Sequence, residues 1–382
     1  MRTIIDLHVL QTVPPSNVNR DDTGSPKTAT YGGVVRARVS SQAWKRATRD
    51  AFRDLLDKSD LGVRTKQVVE LLRDEITRIA PELADRSVEL ATATLKAASI
   101  KVVTPRKKEK EAAEKKEALE ESEFLLFLSY RQVENLAVLA VESARAAGED
   151  AVKVDASAAK ARADLTHSVD VSLFGRMVAN ATDLNVEAAA QVAHALSVHA
   201  VANEYDYFTA VDDRKRDDDK EDAGAGMIGT VEFNSSTLYR FASVDVDRLN
   251  GNLGDLAATR RAVEAFTRAF VTSMPSGKQN TFANRTLPDA VVVIVRETQP
   301  INLVGAFEEA VRDNEGGRIA ASLVRLAKYA TEVQETYDET PVAAWVVGVG
   351  ERAGLLAGIG ERVSIDGAVR GLGDLVDERL AP

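Results

Sequence analysis

The chain has 382 residues, 45% of them apolar and none of them cysteine, so it can bury a core of two or three domains or subdomains, without disulfides, thiolate chemistry or Cys-ligated metal. It has no run of about 18 uncharged apolar residues, and MRTIIDLHVL lacks the apolar core and cleavage site of a signal peptide, so a cytoplasmic protein with no membrane partner is expected. The net charge of -10 is uneven: residues 1–50 carry eight cations and four acids and the rest sums to -14, a basic face on an acidic body that suggests a specific polyanion site over general nucleic-acid affinity.

TIIDLHVL (3–10) alternates Ile5, Leu7 and Val9 with Asp6, His8 and Leu10, which predicts a half-buried strand. Residues 11–33 hold three prolines and the Gly32-Gly33 pair and predict a long, functional loop. Val34 to Val39 alternates again, and Ser40 or Ser41 is placed to cap a helix starting near Gln42. On that helix Ala47, Ala51, Phe52 and Leu55 lie within about 80° of Trp44, whereas Lys45, Arg46, Arg49 and Arg53 fall at about 100–200°. Such a basic stripe is ordinarily a solvated face. Here few acids interleave it, the preceding strand adds Arg36 and Arg38, and the preceding loop adds Arg20 and Lys27.

Residues 60–165 read as mainly helical, with Val68, Leu71, Leu72, Ile76 and Ile79 spaced at three and four. Within them, residues 105–123 carry six cations and seven acids, whose near-cancellation predicts a solvated helix or mobile connector. THSVDVSLF (166–174) alternates and predicts a return to sheet; residues 187–202 read as helix. NEYDYFTA and the stretch from MIGTVEF onward predict two strands of a hairpin around an acidic, glycine-containing tip. Helix over 258–272, strand over 290–296 and helix over 303–313 follow, then more helix and glycine-punctuated turns. The order predicts an α+β fold, a sheet domain with subdomains grown from its loops.

Catalytic signals are weak. His194 and His199, five apart on the expected helix, point about 140° away from each other and cannot share a metal; with His8 and His167 they read as satisfied or solvated side chains. MPSGKQN is not a Walker A motif, since position 272 is Thr and Lys278 is followed by Gln279, yet a turn at Gly277-Lys278 suits a phosphate. Asp21-Asp22 and Asp212-Asp213 have the chemistry of Mg²⁺ ligands, although adjacent loop carboxylates more often form turns or salt bridges. Tyr205, Tyr207, Phe208 and Val211 read as core by default, or as base-stacking groups on a protruding hairpin. Met177, after Gly175-Arg176, carries no assignment from its spacing.

NRDD (19–22), RxRVSSQ (36–42) followed by WKRA, VDVSLFGRM (169–177), AHALSVHAV (193–201), DYFTAVDD (206–213), GTVEFNSSTLYRF (229–241) and PSGKQNTFA (275–283) together resemble the CasC family, the crRNA-binding backbone of the type I-E CRISPR Cascade complex. The resemblance runs in register to about residue 296. It implies an RRM-like (ferredoxin-like) palm over 1–59, 181–203 and 243–382, the last with C-terminal helices, a helical finger insertion over 60–180 and a thumb hairpin over 204–242. It also implies a non-catalytic scaffold, without cofactor or metal, that stacks with further copies along guide RNA, flips bases at intervals and presents the guide to target DNA beside other Cascade subunits in antiviral defence. Carried over, Arg20, Lys27, Arg38, Ser40, Gln42, Lys45, Arg49 and Lys278 hold phosphates and riboses, while Tyr207, Phe208 and Val211 form the thumb wedge and Met177 the finger side. Arg49 stands where the family also shows lysine, and the loop RKRDDDKEDAGAG is longer and more acidic than the family pattern. Two alternatives stay open: a metal-dependent ribonuclease acting on target RNA through Asp21 and Asp22, and a structural protein that binds protein through 105–123.

Overall fold

The computed structural model describes residues 2–105, 119–148, 150–178, 181–210, 227–312 and 317–381. The charged stretch at 106–118 and residues 211–226, with Val211 and the Asp212-Asp213 pair, lie outside the described residues. In chain order the elements are β1 (Ile4–Ser16), β2 (Thr28–Tyr31), β3 (Val34–Val39), α1 (Ser41–Ala51), β4 (Gly62–Thr65), α2 (Val68–Ile79), α3 (Ser87–Ala97), β5 (Val102–Val103), β6 (Glu121–Ser122), β7 (Leu126–Ser129), α4 (Tyr130–Ala147), α5 (Ala156–Asp164) and α6 (Val169–Phe174). They continue with β8 (Ala190–Val192), β9 (Ala195–Ser197), β10 (Glu204–Ala210), β11 (Met227–Asp245), α7 (Val246–Leu253), α8 (Leu256–Thr272), α9 (Gln279–Phe282), β12 (Ala290–Arg296), α10 (Gly317–Thr336), β13 (Ala343–Gly348), β14 (Glu361–Arg362) and α11 (Ile365–Leu380). The fold is mixed α/β, in two compact units: residues 1–51, 191–244 and 263–379, and residues 52–190, 245–262 and 380–382.

The large sheet has the order β14-β13-β12-β1-β11-β9-β3-β2, with β8 and β10 also paired to β11. β12 is antiparallel to β1 and β13, and its sequence AVVVIVR is buried at every position, as befits a strand covered on both faces. In the first unit one face packs Leu10, Tyr239, Phe241, Val292 and Ile294 with Leu323 and Leu326 of α10. Residues of another cluster, Val13, Val39, Ala195 and Leu238, pack with Trp44 of α1. β1 is therefore buried on both sides, not half-buried as its alternation predicts.

Its polar residues are paired inside: Arg296 Nε donates to Asp6 at 3.2 Å, and His8 Nδ1 lies 2.9 Å from the Tyr239 hydroxyl. Burial pushes the Asp6 carboxyl up to about 7, although the Ile301 amide and Arg296 oppose it. Burial, then the Arg296 charge, pushes the His8 imidazole down to about 3. β1 also continues to Ser16, so the expected loop at 11–33 shortens to residues 17–27 before β2; Pro14 and Pro15 fit because the ladder with β12 ends at Leu10.

The second unit has its own core, in which Val69, Leu72 and Ile76 of α2, Leu90 and Leu95 of α3, and Leu136 and Ala140 of α4 meet. The helical expectation holds, joined by the short ladders β4–β7 and β5–β6. Three expectations are corrected. Residues 169–174 are α6 instead of strand: Val169 to Leu173 are all buried, so the alternation has no solvent face to report, and Gly175 at φ 79 ends the helix. The expected helix at 187–202 is β8 and β9, because Ser197 and Leu196 pair with Leu238 and Tyr239, and Leu196 and Ala195 with Arg38 and Val39. The expected helix at 303–313 is a single 3-10 turn at Leu303–Phe307.

Candidate nucleic-acid interface

The cations of the first unit are positioned by the 17–27 connection. The Lys27 amide donates to the Asn19 carbonyl at 2.9 Å, the Ser40 amide to Asn19 Oδ1 at 2.9 Å, and the Arg38 amide to the Lys27 carbonyl at 2.9 Å. Asn17 Nδ2 holds the same connection to β11, donating to the carbonyls of Gly24 and Glu232 at 2.9 Å each. On the other side Gly277 lies so close to Val18 that a Cβ there would collide with the Val18 carbonyl, and the next residue, Lys278, takes φ 51 at the start of α9. One band thus collects Arg20, Lys27, Arg38, Ser40 and Lys278 at the entrance to α1. Asn17 and Asn19 were not singled out from sequence; their signal was only a turn-rich SNVNRDD.

Ser40 precedes α1 and its Oγ accepts from the Ala43 amide at 3.4 Å; Gln42 is exposed in the first turn. Trp44 is fully buried, which turns Arg46 to solvent and leaves Lys45 and Arg49 half-buried. Partial burial lowers the Lys45 pKa from its ordinary value. Arg36 does not join the band. It is fully buried, donating to the carbonyls of Tyr31, Ser197, Phe307 and Glu308 at 2.9–3.1 Å. Arg38 Nε donates to the Thr28 carbonyl at 3.1 Å, and its Nη1 lies 3.2 Å from His194 Nδ1. His194 and His199 are not on a helix: His199 is buried, and its Nε2 accepts from the Thr237 amide at 3.1 Å.

Asp21 closes its own turn. Its Oδ1 accepts from the Thr23 hydroxyl at 2.7 Å and from the Thr23 and Ser25 amides at 2.9 and 3.0 Å, and these bonds hold its carboxyl below the usual range, the Thr23 hydroxyl foremost. Among the described residues no three His, Asp or Glu side chains are grouped as metal ligands.

β10 and β11 form the expected hairpin, antiparallel from Glu204↔Phe233 to Ala210↔Met227. Alternation puts Tyr205 and Tyr207, 67% and 63% exposed, on one face and Phe208, 37% exposed, on the other, its ring seated over Gly229. Tyr207 and Phe208 therefore do not form one wedge surface. In the second unit Met177 is 83% exposed. It stands on a rigid base, for Arg176 is buried and donates to the Leu184 carbonyl at 2.6 Å and to Asp164 Oδ1 at 3.2 Å.

A family model described as CT1975-like protein matches residues 5–370. Among solved structures, a chain of a CRISPR RNA-guided surveillance complex, pre-nicking, is 35% identical with a TM-score of 0.82, the match covering 97% of this chain and 100% of the other. A chain of a second CRISPR RNA-guided surveillance complex is 29% identical with a TM-score of 0.71, covering 96% and 99%. Comparison with curated protein sequences finds no match.

Proposed function

The chain belongs to the family of CT1975-like proteins and is a Cascade-type CRISPR protein, and from that premise we propose that it is a non-catalytic backbone subunit of a type I-E complex of the CasC kind. In this reading it grips guide RNA by its phosphates, stacks with further copies of itself and other subunits, and leaves base edges open to target DNA. A guide that must pair with any target needs backbone contacts and not base readers, which is what cations, hydroxyls and turn amides provide. The observation that carries the proposal is the band in which the 17–27 connection, the β3–α1 junction and the Gly277-Lys278 turn meet. Arg20, Lys27, Arg38, Ser40, Gln42, Lys45, Arg49 and Lys278 are assigned to phosphates and riboses. Met177, Tyr207 and Val211 are assigned to base displacement, with Phe208 bracing the hairpin from its opposite face over Gly229 and the first unit as an RRM-like palm. No helix among the described residues is long and apolar enough to cross a membrane. The ribonuclease reading is disfavoured by Asp21, whose Oδ1 is committed to its own turn.

The test is a salt titration of guide-RNA binding. Each lost phosphate contact lowers the magnitude of the slope of log K against log salt by about 0.7 on a single strand, so the Lys27→Ala, Lys45→Ala, Arg49→Ala triple variant is expected to lower it by about two. An unchanged slope would show the band to be a solvated face.

A further inference from the structure

His194 lies just before β9 and is exposed beside the basic band. Its Nδ1 is 3.2 Å from Nη1 of Arg38. A guanidinium has no acceptor, so Nδ1 takes the hydrogen bond and the ring is neutral, with its proton on Nε2. Arg38 is tied from behind by its Nε bond to the Thr28 carbonyl, so it presents the Nη1 edge to the ring. The charged groups acting on the imidazole are Arg38 of β3 and Lys27 of the 17–27 connection. After partial burial, their two charges hold His194 below the ordinary imidazole value. A third cation beside these two is thus disfavoured.

A bound phosphodiester reverses this balance. Its negative charge cancels the field of Lys27 and Arg38, and an opposite charge nearby favours the protonated ring. Protonation has a geometric consequence as well: an imidazolium has no acceptor for Arg38, so the contact at Nδ1 breaks and the Nδ1–H becomes a charged donor free to turn to the anion.

We propose that His194 is a further phosphate-binding residue of this band, mainly neutral in the free protein and more fully protonated in the complex, so that the chain takes up protons from solvent as it grips the RNA backbone. This rests on the backbone-gripping reading above and extends it, since it makes the strength of the grip depend on pH. The sign follows from linkage. The bound state carries the higher pKa, so affinity is greatest at low pH and falls as pH rises through the bound-state value. A rise of one unit on binding corresponds to about tenfold in affinity between the acid and alkaline limits.

The experiment uses the whole 382-residue chain and a short oligouridylate at fixed low salt, with binding followed from about pH 5.5 to about pH 8, where uracil gains no charge and imidazole titrates. The proteins are wild type, His194→Gln and His194→Ala. Glutamine keeps an acceptor for Arg38 but takes up no proton, so it separates charge from positioning. Wild type is expected to weaken about tenfold across the range. His194→Gln is expected to bind independently of pH, close to the wild-type affinity at the alkaline end. His194→Ala should also lose the pH dependence and bind more weakly throughout, because Arg38 loses its acceptor. Calorimetry at about pH 6.5 in two buffers of different protonation enthalpy should show proton uptake by wild type and none by His194→Gln. A pH-independent wild type, or a His194→Gln protein that keeps the wild-type profile, overturns the inference while leaving the backbone reading intact. Failure of wild type to bind oligouridylate at any pH or salt would remove both.

Discussion

Arg36, Arg240 and Arg296 are cations that a charge count assigns to the surface, yet each is buried in the first unit for a local reason. Arg36 gathers four carbonyls, Arg296 pairs with Asp6, and Arg240 lies between the rings of Trp44 and Phe270, at 3.7 and 4.6 Å. Since Trp44 is the inner residue of α1, its stack on Arg240 helps fix the rotation of the helix, and a buried cation thereby sets the direction of the exposed ones. Asp6 and His8 matter for stability because they titrate in opposite senses. Asp6, raised from 3.8 to about 7, gains stability for the fold as pH falls through that interval. His8, lowered from 6.5 to about 3, contributes fully above its unfolded value and loses that contribution as pH falls, because the unfolded chain takes the proton first. Between pH 7 and pH 5 the His8 loss is about 2 kcal/mol and the Asp6 gain is about as large, so the two roughly cancel in the wild type. Urea unfolding of His8→Gln should therefore show, relative to wild type, a gain of about 2 kcal/mol between pH 7 and pH 5. Identical profiles would mean that His8 is not held neutral in the folded state.

At the level of elements, legibility in the sequence tracked whether period or composition pointed to one type of element. β3 with α1, the β10–β11 hairpin, α8 and β12 were legible because their period, caps or composition agree with their burial. α6 was not, because Val169 to Leu173 are buried all round and helix and strand spacings become indistinguishable. Nor were β8 and β9, where the alanine-rich AAAQVAHALS favours helix by propensity and pairing with β3 and β11 overrides it. The candidate site was legible as residue types but not as a place, since the Asn19 and Gly277 contacts that assemble it join distant stretches. The hairpin offers a test of roles. Tyr207→Ala should leave thermal stability unchanged and weaken RNA binding by about 1–3 kcal/mol, as loss of a stacking platform does. Phe208→Ala, which empties the seat over Gly229, should instead lower the protection of the hairpin amides from hydrogen exchange. Equal effects of the two substitutions on both readouts would contradict the separation of faces.

For the molecule as a whole, the chain passes between its two units after residues 51, 190, 244, 262 and 379, and each unit draws on stretches far apart in sequence, an arrangement that periodicity does not reveal. The proposed stacking is a property of many copies: with partner subunits and guide RNAs of two lengths at low salt, light scattering should report a larger mass on the longer RNA. Equal masses, or no assembly, would count against it. β11 gives such an assembly a fixed measure. Its 19 residues run unbroken from the hairpin to the middle of the sheet, between β1 and β9. At about 3.3 Å per residue this is a strut of about 60 Å. A strut made of strand obeys a parity rule, since one residue added to both hairpin strands lengthens the reach but turns Tyr207 to the opposite side, while two residues lengthen it and restore the facing. Variation in hairpin length that keeps Tyr207 on its face is thereby confined to even steps, so the reach of the hairpin behaves as a quantised dimension and not as a continuously adjustable one.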